Sequence, residues 1–337
     1  MVVFWIGLLL VAIVLVFIAT LRADQKRLSQ ANRDAQAQAL ARLGKPLSGE
    51  HIDAYMATAR NHQNNGRLGS EDQLVWHDSP QKVRQVVLYL HGFSASPNEI
   101  SPVLDTVSRQ LGAHYFAPRL TGHGQTGSAL GAATAEDWLR DAWFAWTVAS
   151  SMAERVIMVG SSTGATLATA LLRVPEVQAR TDAVVFLSPN FGIKRVAARI
   201  LTWPIGSVIM RWLSGPEWAW KPSNELQKNL WTYRYPVKAL HQVQRLVQWT
   251  TQRPLVNVAL PLHVVQCRMD KTVSSDRANQ YLASWEGEKM WHFMPPKEGT
   301  NNHVLAGDAT RPENNAEMIS LLTAFLKTKR KTAGSLD

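Results

Sequence analysis

The sequence predicts an α/β fold in which a mostly parallel central sheet is covered by helices on both faces. Short apolar runs alternate along the chain with helical segments of roughly ten residues or more, the pattern of strands joined by helical crossovers. One of these runs leads into a serine flanked by glycines in the spacing G-x-S-x-G. The 337 residues are 46% hydrophobic and 18% charged, which is typical of an ordered protein with one large α/β domain and insertions, or with two ordinary domains.

An almost continuously apolar run without side-chain charge occupies residues 1–21. At about 1.5 Å per residue, a helix of this length would span a bilayer core of about 30 Å. A cleaved signal peptide and a buried core helix are the alternatives, but no Lys or Arg precedes the run and Ala19-Thr20-Leu21 is a poor cleavage site. We therefore predict an uncleaved transmembrane helix.

The residues directly after this run are more often basic than acidic: Arg22, Lys26, Arg27 and Arg33 against Asp24 and Asp34. By the positive-inside rule, the sequence predicts a single-pass membrane protein whose C-terminal bulk is cytoplasmic. Residues 22–69 are polar, rich in Ala and Gln, and interrupted around Gly44-Lys45-Pro46. They predict a helical stalk that holds the rest of the chain near the membrane.

Six strands and four helices are predicted after the stalk, in addition to a strand at 156–160 before the serine motif. The strands lie at 73–77, 86–90, 114–117, 183–187, 262–267 and 289–294. The helices lie at 97–111, 134–150, 274–285 and 312–327. Ligands of such a sheet bind at the carboxyl ends of the strands, so reactive residues are expected just after them.

The motif Gly160-Ser161-Ser162-Thr163-Gly164 predicts a strand, a sharp turn and a helix, with Ser162 at the point of the turn. Such a turn holds the serine in a strained backbone conformation, and glycines two residues before and after it let the strand and helix backbones approach. Ser161 has no glycines at the corresponding positions. We therefore predict Ser162 as a nucleophile.

A serine nucleophile needs a base to take its proton and a carboxylate to orient that base, and in this type of sheet both follow the serine in the chain. Asp270 comes just after the strand 262–267, whereas the competing Asp276 lies within the following helix and is expected to point away. His303 lies in a polar loop after the last strand. The other downstream histidines fall in the insertion or inside strands: His241, His263 and His292.

The strand 86–90 ends in His91-Gly92-Phe93. The backbone N–H of Phe93 would stabilise the oxyanion that forms when a serine attacks a carbonyl, and the N–H of Thr163 would be the second donor. The alternative is that His91-Gly92 only closes the strand. His91 is one of ten histidines spread along the chain and is not by itself a candidate catalyst.

The segment 191–257 is too long for a plain connection between strands and predicts a cap over the active site. It contains ten basic and two acidic residues and six tryptophans: Trp203, Trp212, Trp218, Trp220, Trp231 and Trp249. A basic surface with tryptophans predicts contact with anionic lipid headgroups, and residues 201–213 predict an apolar face for acyl chains. The alternatives are a solvated cap with internally packed tryptophans, or nucleic-acid binding, which no motif supports.

The motifs follow one another as HGF, GHG, GxSxG, an aspartate after a strand and a histidine in the last loop, together with Thr134-Ala135-Glu136-Asp137-Trp138. This order resembles the α/β-hydrolase superfamily, and within it the group of monoacylglycerol lipases, lysophospholipases and serine aminopeptidase-like hydrolases. The resemblance covers roughly residues 70–328.

The resemblance implies Ser162 as nucleophile, Asp270 as acid, His303 as base, and Phe93 and Thr163 as backbone donors in the oxyanion hole. It also implies an α/β-hydrolase fold with a helical cap inserted into the core. The chain then divides into a transmembrane anchor (1–21), a stalk (22–69), an α/β-hydrolase core (70–190 and 258–330), a cap (191–257) and a tail (331–337).

The expected function is that of a membrane-anchored serine hydrolase of carboxylic esters, acting on lipids with one acyl chain such as monoacylglycerols or lysophospholipids. A peptidase or amidase with the same three residues, and a non-catalytic scaffold of the same fold, are the alternatives. No metal, organic cofactor or nucleic-acid partner is implied. The single cysteine, Cys267, excludes an internal disulfide and a cysteine-rich metal site. Cys267 and Ser161 depart from the residues usual in the family, but neither departure removes a catalytic group.

Overall fold

The computed structural model describes residues 2–43, 52, 66–79, 83–194, 201, 203 and 205–333, without the side chains of 2–4, 7–10, 207, 214 and 330–333. The strands are β1 (Gln73–Val75), β2 (Val83–Leu90), β3 (His114–Ala117), β4 (Ala153–Ser161), β5 (Thr181–Leu187), β6 (Glu217–Ala219), β7 (Arg234–Pro236), β8 (Leu262–Gln266) and β9 (Lys289–Phe293). The helices are α1 (Val2–Leu40), α2 (Val103–Leu111), α3 (Gly127–Ala132), α4 (Ala135–Met152), α5 (Thr163–Leu171), α6 (Pro175–Ala179), α7 (Gly206–Ser214), α8 (Glu225–Leu230), α9 (Val237–Thr251), α10 (Ser275–Tyr281) and α11 (Asn315–Ala333).

Seven strands form the central sheet in the order β1-β3-β2-β4-β5-β8-β9, and β6 and β7 form a separate two-stranded sheet. Neighbours in the central sheet are parallel except β1, which runs antiparallel to β3 at one edge. The inner strands β4, β5 and β8 are buried along almost their whole length, as expected for a parallel sheet covered on both faces. The predicted α/β fold with a mostly parallel sheet is confirmed.

Alternate residues of β2 point to opposite faces of the sheet and join two different cores. Val86, Leu88 and Leu90 belong to the larger core, which includes side chains of α4, α5 and α9. Val87 and Tyr89 belong to the second core, which includes side chains of α2 and α11. Three tryptophans of α4 are fully buried in the larger core: Trp138, Trp143 and Trp146. Each buries on the order of 200 Å² of surface, so α4 supplies much of the apolar area that holds this face.

Helix boundaries follow capping residues and prolines. The hydroxyl of Thr134 accepts the N–H of Asp137 while the carboxylate of Asp137 accepts the N–H of Thr134, and this capping box starts α4 where the sequence predicts it. The prediction of a helix from residue 97 is wrong, because α2 begins only after Pro102. The residue before a proline is disfavoured in helical conformation, so the chain turns through 97–101 instead.

α1 continues unbroken to residue 40, where the sequence predicts an anchor over 1–21 and a separate stalk from 22. The predicted transmembrane helix is not supported, because no helix among the described residues is both long and apolar enough to cross a membrane. The side chains of 2–4 and 7–10, within the predicted anchor, lie outside the described part of the chain. The same is true of 44–51 and 53–65 in the predicted stalk.

The second half of α1 packs on the body of the protein. Leu28 is fully buried in the larger core. Ser29 accepts the indole N–H of Trp249 at 3.0 Å, and Asn32 accepts the indole N–H of Trp143 at 2.9 Å. Buried tryptophans need such acceptors for their N–H groups. This half of the helix is therefore a structural layer over α4 and α9.

One cluster of ion pairs joins α1, α4 and α9. The guanidinium of Arg245 lies 2.8 Å from the carboxylate of Glu136 and 3.4 Å from that of Asp24, and the Arg245 side chain is only 10% exposed. Removing one partner from a buried ion pair costs about 3–5 kcal/mol. The cluster therefore ties the N-terminal helix to the last helix of the cap.

His263 of β8 is fully buried, with its ring centroid 5.0 Å from that of Phe325. Neither ring nitrogen has a hydrogen-bond partner among the described residues. Burial, and to a lesser extent the nearby His292, lowers the pKa of His263 to about 4. The ring is therefore neutral in the folded protein at neutral pH.

We expect the free energy of unfolding to fall as the pH is lowered from 6.5 to about 4, because the unfolded chain binds a proton at His263 in this range and the folded chain does not. His263→Leu should reduce that loss. Urea unfolding of wild type and variant measures this loss as the difference in the urea midpoint between about pH 7.5 and about pH 5. An equal change in wild type and variant would contradict the assignment to His263.

Candidate active site

Ser162 lies at a sharp turn between β4 and α5, with a φ of 50° and a ψ of −113°. A positive φ is strained for a residue with a side chain, so the surrounding structure must hold it. A Cβ atom on Gly164 would lie 1.8 Å from the carbonyl oxygen of Leu90, and one on Gly160 would lie 2.6 Å from the backbone of Ala165. Only glycine at these two positions lets β2, β4 and α5 approach closely enough to form the turn.

Three side chains that are far apart in the sequence form one hydrogen-bonded line at the C-terminal ends of the strands. Nε2 of His303 lies 2.9 Å from Oγ of Ser162, and Nδ1 of His303 lies 2.7 Å from Oδ2 of Asp270. Oδ1 of Asp270 accepts the backbone N–H groups of Thr272 and Val273 at 2.7 and 3.0 Å. The carboxylate is thus held in one orientation, which favours the tautomer of His303 with its proton on Nδ1.

The charges around His303 favour its protonated form. Its side chain is 13% exposed. Burial lowers the pKa of His303, but the charge and hydrogen bond of Asp270, together with the charge of Glu99, raise it above the ordinary value. An imidazolium is the form that a histidine adopts after it takes a proton from a serine, so the site stabilises this state.

The loop that carries His303 is held from several sides. Ser188 donates its hydroxyl to the carbonyl oxygen of His303 at 2.7 Å. Asn302 is buried with a φ of 57°, and its side-chain oxygen accepts the N–H of Lys297 at 2.7 Å. Arg311 is also buried and donates to a backbone carbonyl at the start of the loop at 3.3 Å. These bonds fix the backbone from which the imidazole extends.

Two backbone segments border Ser162. The turn after β2 contains His91-Gly92-Phe93, and a Cβ atom on Gly92 would lie 3.4 Å from Cβ of Ser162. On the other side, Thr163 is the first residue of α5, where backbone N–H groups have no acceptor within the helix. The N–H groups predicted as oxyanion donors, those of Phe93 and Thr163, therefore belong to segments next to the serine.

His91 connects two backbone segments near the site. Its Nε2 accepts the N–H of Leu120 at 3.1 Å, which leaves Nδ1 to donate to the carbonyl oxygen of Gly92 at 2.9 Å. Burial, together with the neighbouring His123, lowers the pKa of His91 well below its ordinary value. The ring is therefore neutral and holds the turn after β2 against the loop after β3.

The remaining candidates from the sequence lie away from Ser162. Asp276 is exposed in the first turn of α10. His241 bonds a backbone carbonyl, His263 is buried in β8, and His292 pairs with a glutamate of α11. Within the described ranges, no group of three or more His, Cys, Asp or Glu residues is arranged to hold a metal ion.

Glu99 is a residue of the site that the sequence does not predict; its carboxylate is buried beside the turn after β2. It accepts a hydrogen bond from the N–H of Gly92 at 2.7 Å. Glu99 falls in the segment 97–111 that is predicted as a helix, where a glutamate is unremarkable. The signal available was an acidic residue between two prolines, Pro97 and Pro102, soon after the His-Gly pair.

Part of the segment 191–257 contacts the turn after β2. The ring of Phe93 lies against the rings of His123, Trp138 and Tyr235, with centroid distances of 5.7, 5.8 and 5.3 Å. Tyr235 belongs to β7 of the cap, and the N–H of Thr232, also in the cap, donates to the carbonyl of the residue after Phe93 at 2.7 Å. The cap is therefore packed directly on the segment that borders the nucleophile.

Ser162 itself is 7% exposed. A surface cavity of about 400 Å³ lies at the edge of the sheet between β9 and α10, lined by Asn279, Leu282, Ala283, Lys289, Trp291 and Phe293. This cavity does not border the hydrogen-bonded line. In this conformation Ser162 is therefore buried.

Residues 87–306, well over half of the chain, match the Alpha/beta hydrolase family. The chain belongs to the alpha/beta hydrolase family. The resemblance inferred from the motifs is thereby confirmed. No curated protein sequence matches the chain.

Solved structures with this fold include lipolytic enzymes. A chain from the structures of LipS and LipT, two metagenome-derived lipolytic enzymes, is 20% identical with a TM-score of 0.62, over 78% of this chain and 100% of that one. A soluble variant of monoglyceride lipase from Saccharomyces cerevisiae is 12% identical with a TM-score of 0.57, over 77% and 90%. Monoacylglycerol lipase from Paleococcus ferrophilus is 10% identical with a TM-score of 0.55, over 77% and 97%. At these identities the likeness shows the fold alone.

The contact between Asp270 and His303 predicts unequal effects of two similar substitutions. Asp270→Asn should slow the reaction of Ser162 with a fluorophosphonate probe by about 10³–10⁴-fold, because the amide favours the wrong tautomer of the imidazole. Asp276→Asn is the matched control and should react at the wild-type rate. If Asp276→Asn instead loses labelling, Asp276 and not Asp270 is the acid.

Proposed function

We propose that this alpha/beta hydrolase is a serine esterase that cleaves carboxylic esters through an acyl-enzyme intermediate. The observation that carries the proposal is the hydrogen-bonded line of Ser162, His303 and Asp270 at a strained turn. The enzymes with the same fold that are named as lipolytic enzymes or lipases support the ester class.

In the first half of the reaction, Nε2 of His303 accepts the hydroxyl proton of Ser162 while Oγ attacks the ester carbonyl. The N–H groups of Phe93 and Thr163 donate to the oxyanion. Asp270 stabilises the imidazolium, which gives its proton to the departing alkoxide as the C–O bond breaks. In the second half, His303 takes a proton from water, the resulting hydroxide attacks the acyl-enzyme, and Ser162 regains its proton as the carboxylic acid leaves.

We further propose lipids with one acyl chain, such as monoacylglycerols or lysophospholipids, as substrates. Two of the proteins with the same fold are named as monoacylglycerol or monoglyceride lipases. An apolar side chain is available to an acyl chain beside Ser162, because Phe93 of the oxyanion turn (residues 91–93) is only half-buried, while Trp138 and Tyr235 pack behind it and are buried. An apolar chain gains free energy by leaving water for contact with such a side chain.

The cap would dock on an anionic lipid surface through α7 and the residues before it. Five large apolar side chains there are exposed: Trp203, Ile205, Val208, Trp212 and Leu213. The ten basic and two acidic residues of the cap add attraction to anionic headgroups. Trp231 and Trp249 are buried, so internal packing accounts for these two tryptophans.

Ser162→Ala should abolish fluorophosphonate labelling and lower hydrolysis of short-chain esters by about 10⁴-fold or more, because no other group carries the acyl chain. Circular dichroism should show an unchanged melting temperature. Undiminished ester turnover in the variant would contradict the proposal. A wild-type preference for aminoacyl anilides would indicate a peptidase or amidase, and a folded wild type inert to the probe would indicate a scaffold.

The double variant Trp212→Ser, Leu213→Ser should bind vesicles that contain anionic phospholipid about tenfold more weakly than wild type, because less apolar surface enters the interface. Co-sedimentation measures the binding, and hydrolysis of a water-soluble ester should be unchanged. Leu68→Ser is the matched control, since Leu68 is 84% exposed outside the cap. Equal binding by wild type and the double variant would exclude docking through α7.

A further inference from the structure

We propose that Glu99 is a positioning residue of the active site, which holds the Gly92 peptide of the oxyanion turn and whose negative charge favours the imidazolium form of His303. The inference deepens the proposed serine-esterase function and rests on it. Glu99 acts through these neighbours and not on the substrate itself.

Glu99 is a buried carboxylate with a specific set of partners. The residue is 2% exposed, and its Oε1 accepts the hydroxyl of Tyr89 at 2.6 Å and the backbone N–H of Gly92 at 2.7 Å. A protonated His303 ring favours the ionised form of this carboxylate through its charge. Burying a carboxylate is unfavourable unless hydrogen bonds and charges compensate it. We therefore infer that Glu99 has a role in the site besides filling space in the core.

The carboxylate lies on the same side of Gly92 as the nucleophile. A Cβ atom on Gly92 would lie 3.3 Å from Oε2 of Glu99 and 3.4 Å from Cβ of Ser162. The carboxylate of Glu99 accepts the N–H of Gly92, and Nδ1 of His91 donates to the carbonyl oxygen of Gly92. That carbonyl and the N–H of Phe93 belong to one planar peptide, so fixing Gly92 at both ends fixes the direction of the Phe93 N–H.

The carboxylate is also a source of charge. The pKa of Glu99 is raised above its ordinary value because burial outweighs the bonds from Tyr89 and Gly92, the charge of His303 and the hydroxyl of Ser161, which each lower it. These four groups therefore support the ionised form against the cost of burial. The ionised form is the one that acts on His303.

Two carboxylates act on His303 from different elements. Burial lowers the pKa of His303, while Asp270 in the loop after β8 and, to a lesser extent, Glu99 in the turn after β2 raise it. The other titratable groups packed against Glu99 are Tyr89 and Tyr115, and burial raises the pKa of both, so they stay neutral. Glu99 is thus a second negative charge that favours proton transfer from Ser162 to the imidazole.

The test is Glu99→Gln in the full-length protein, because glutamine keeps the size and one acceptor oxygen while it removes the charge. We expect kcat for a short-chain ester to fall about tenfold with KM nearly unchanged. We also expect the acidic limb of kcat/KM against pH to move to lower pH, because His303 loses a charge that favours its protonation. A side chain that only supports the fold would not move this limb.

Two further variants separate charge from shape. Glu99→Asp keeps the charge but shortens the side chain, so it should keep the wild-type acidic limb while kcat falls. Tyr89→Phe removes one donor and leaves the charge, so its acidic limb should also match wild type. Melting temperatures by circular dichroism establish that each variant is folded.

A wild-type kcat and pH profile in Glu99→Gln would overturn the inference. If that variant does not fold, a shifted acidic limb in Glu99→Asp would overturn it instead. Fluorophosphonate labelling of Ser162 in the wild type separates this failure from that of the proposed function. If the wild type is labelled and Glu99→Gln has the same kcat and pH profile, only the role of Glu99 is rejected. If the wild type is not labelled, both proposals are rejected.

Discussion

The contact between Gly164 and the carbonyl of Leu90 is the constraint on which the rest of the site depends. Because residue 164 has no side chain, α5 begins directly against the end of β2, and the turn that contains Gly92 lies next to Ser162. The loops after β8 and β9 reach the same edge, since all of these strands are parallel. The sheet thereby brings Ser162 and His303 to hydrogen-bonding distance although they are 141 positions apart in the chain.

The parallel sheet was predictable because its inner strands are buried on both faces and read as continuous apolar runs. The strand 114–117 has the same bounds in the sequence analysis and in the structure. The N-terminal region was not predictable in this way. The packing of α1 depends on Ser29 and Asn32 meeting tryptophans more than a hundred positions later, and neither composition nor periodicity reports such contacts.

The residues of the candidate site also differ in how far the sequence predicts them. Ser162, Asp270 and His303 could be selected because each follows a strand, and strand ends converge on one edge. Glu99 and Ser188 were not selected, because the bonds that connect them to the site go to the backbone atoms of Gly92 and His303. A backbone N–H or carbonyl is present at almost every position. A side chain that bonds to one therefore has no characteristic residue type as its partner in the sequence. Predicting such residues requires the turns themselves, which is where the helix prediction at 97–102 failed.

The ion pairs of Arg245 connect the N-terminal helix to the cap. Arg245 lies on α9, the C-terminal leg of the cap, and its partners Asp24 and Glu136 belong to α1 and α4. The helix α9 is thus held by the helix that begins the chain, while Val208, Trp212 and Leu213 of α7 are exposed. A shortened protein without residues 1–40 would leave the buried guanidinium of Arg245 with Glu136 as its one remaining partner in this cluster.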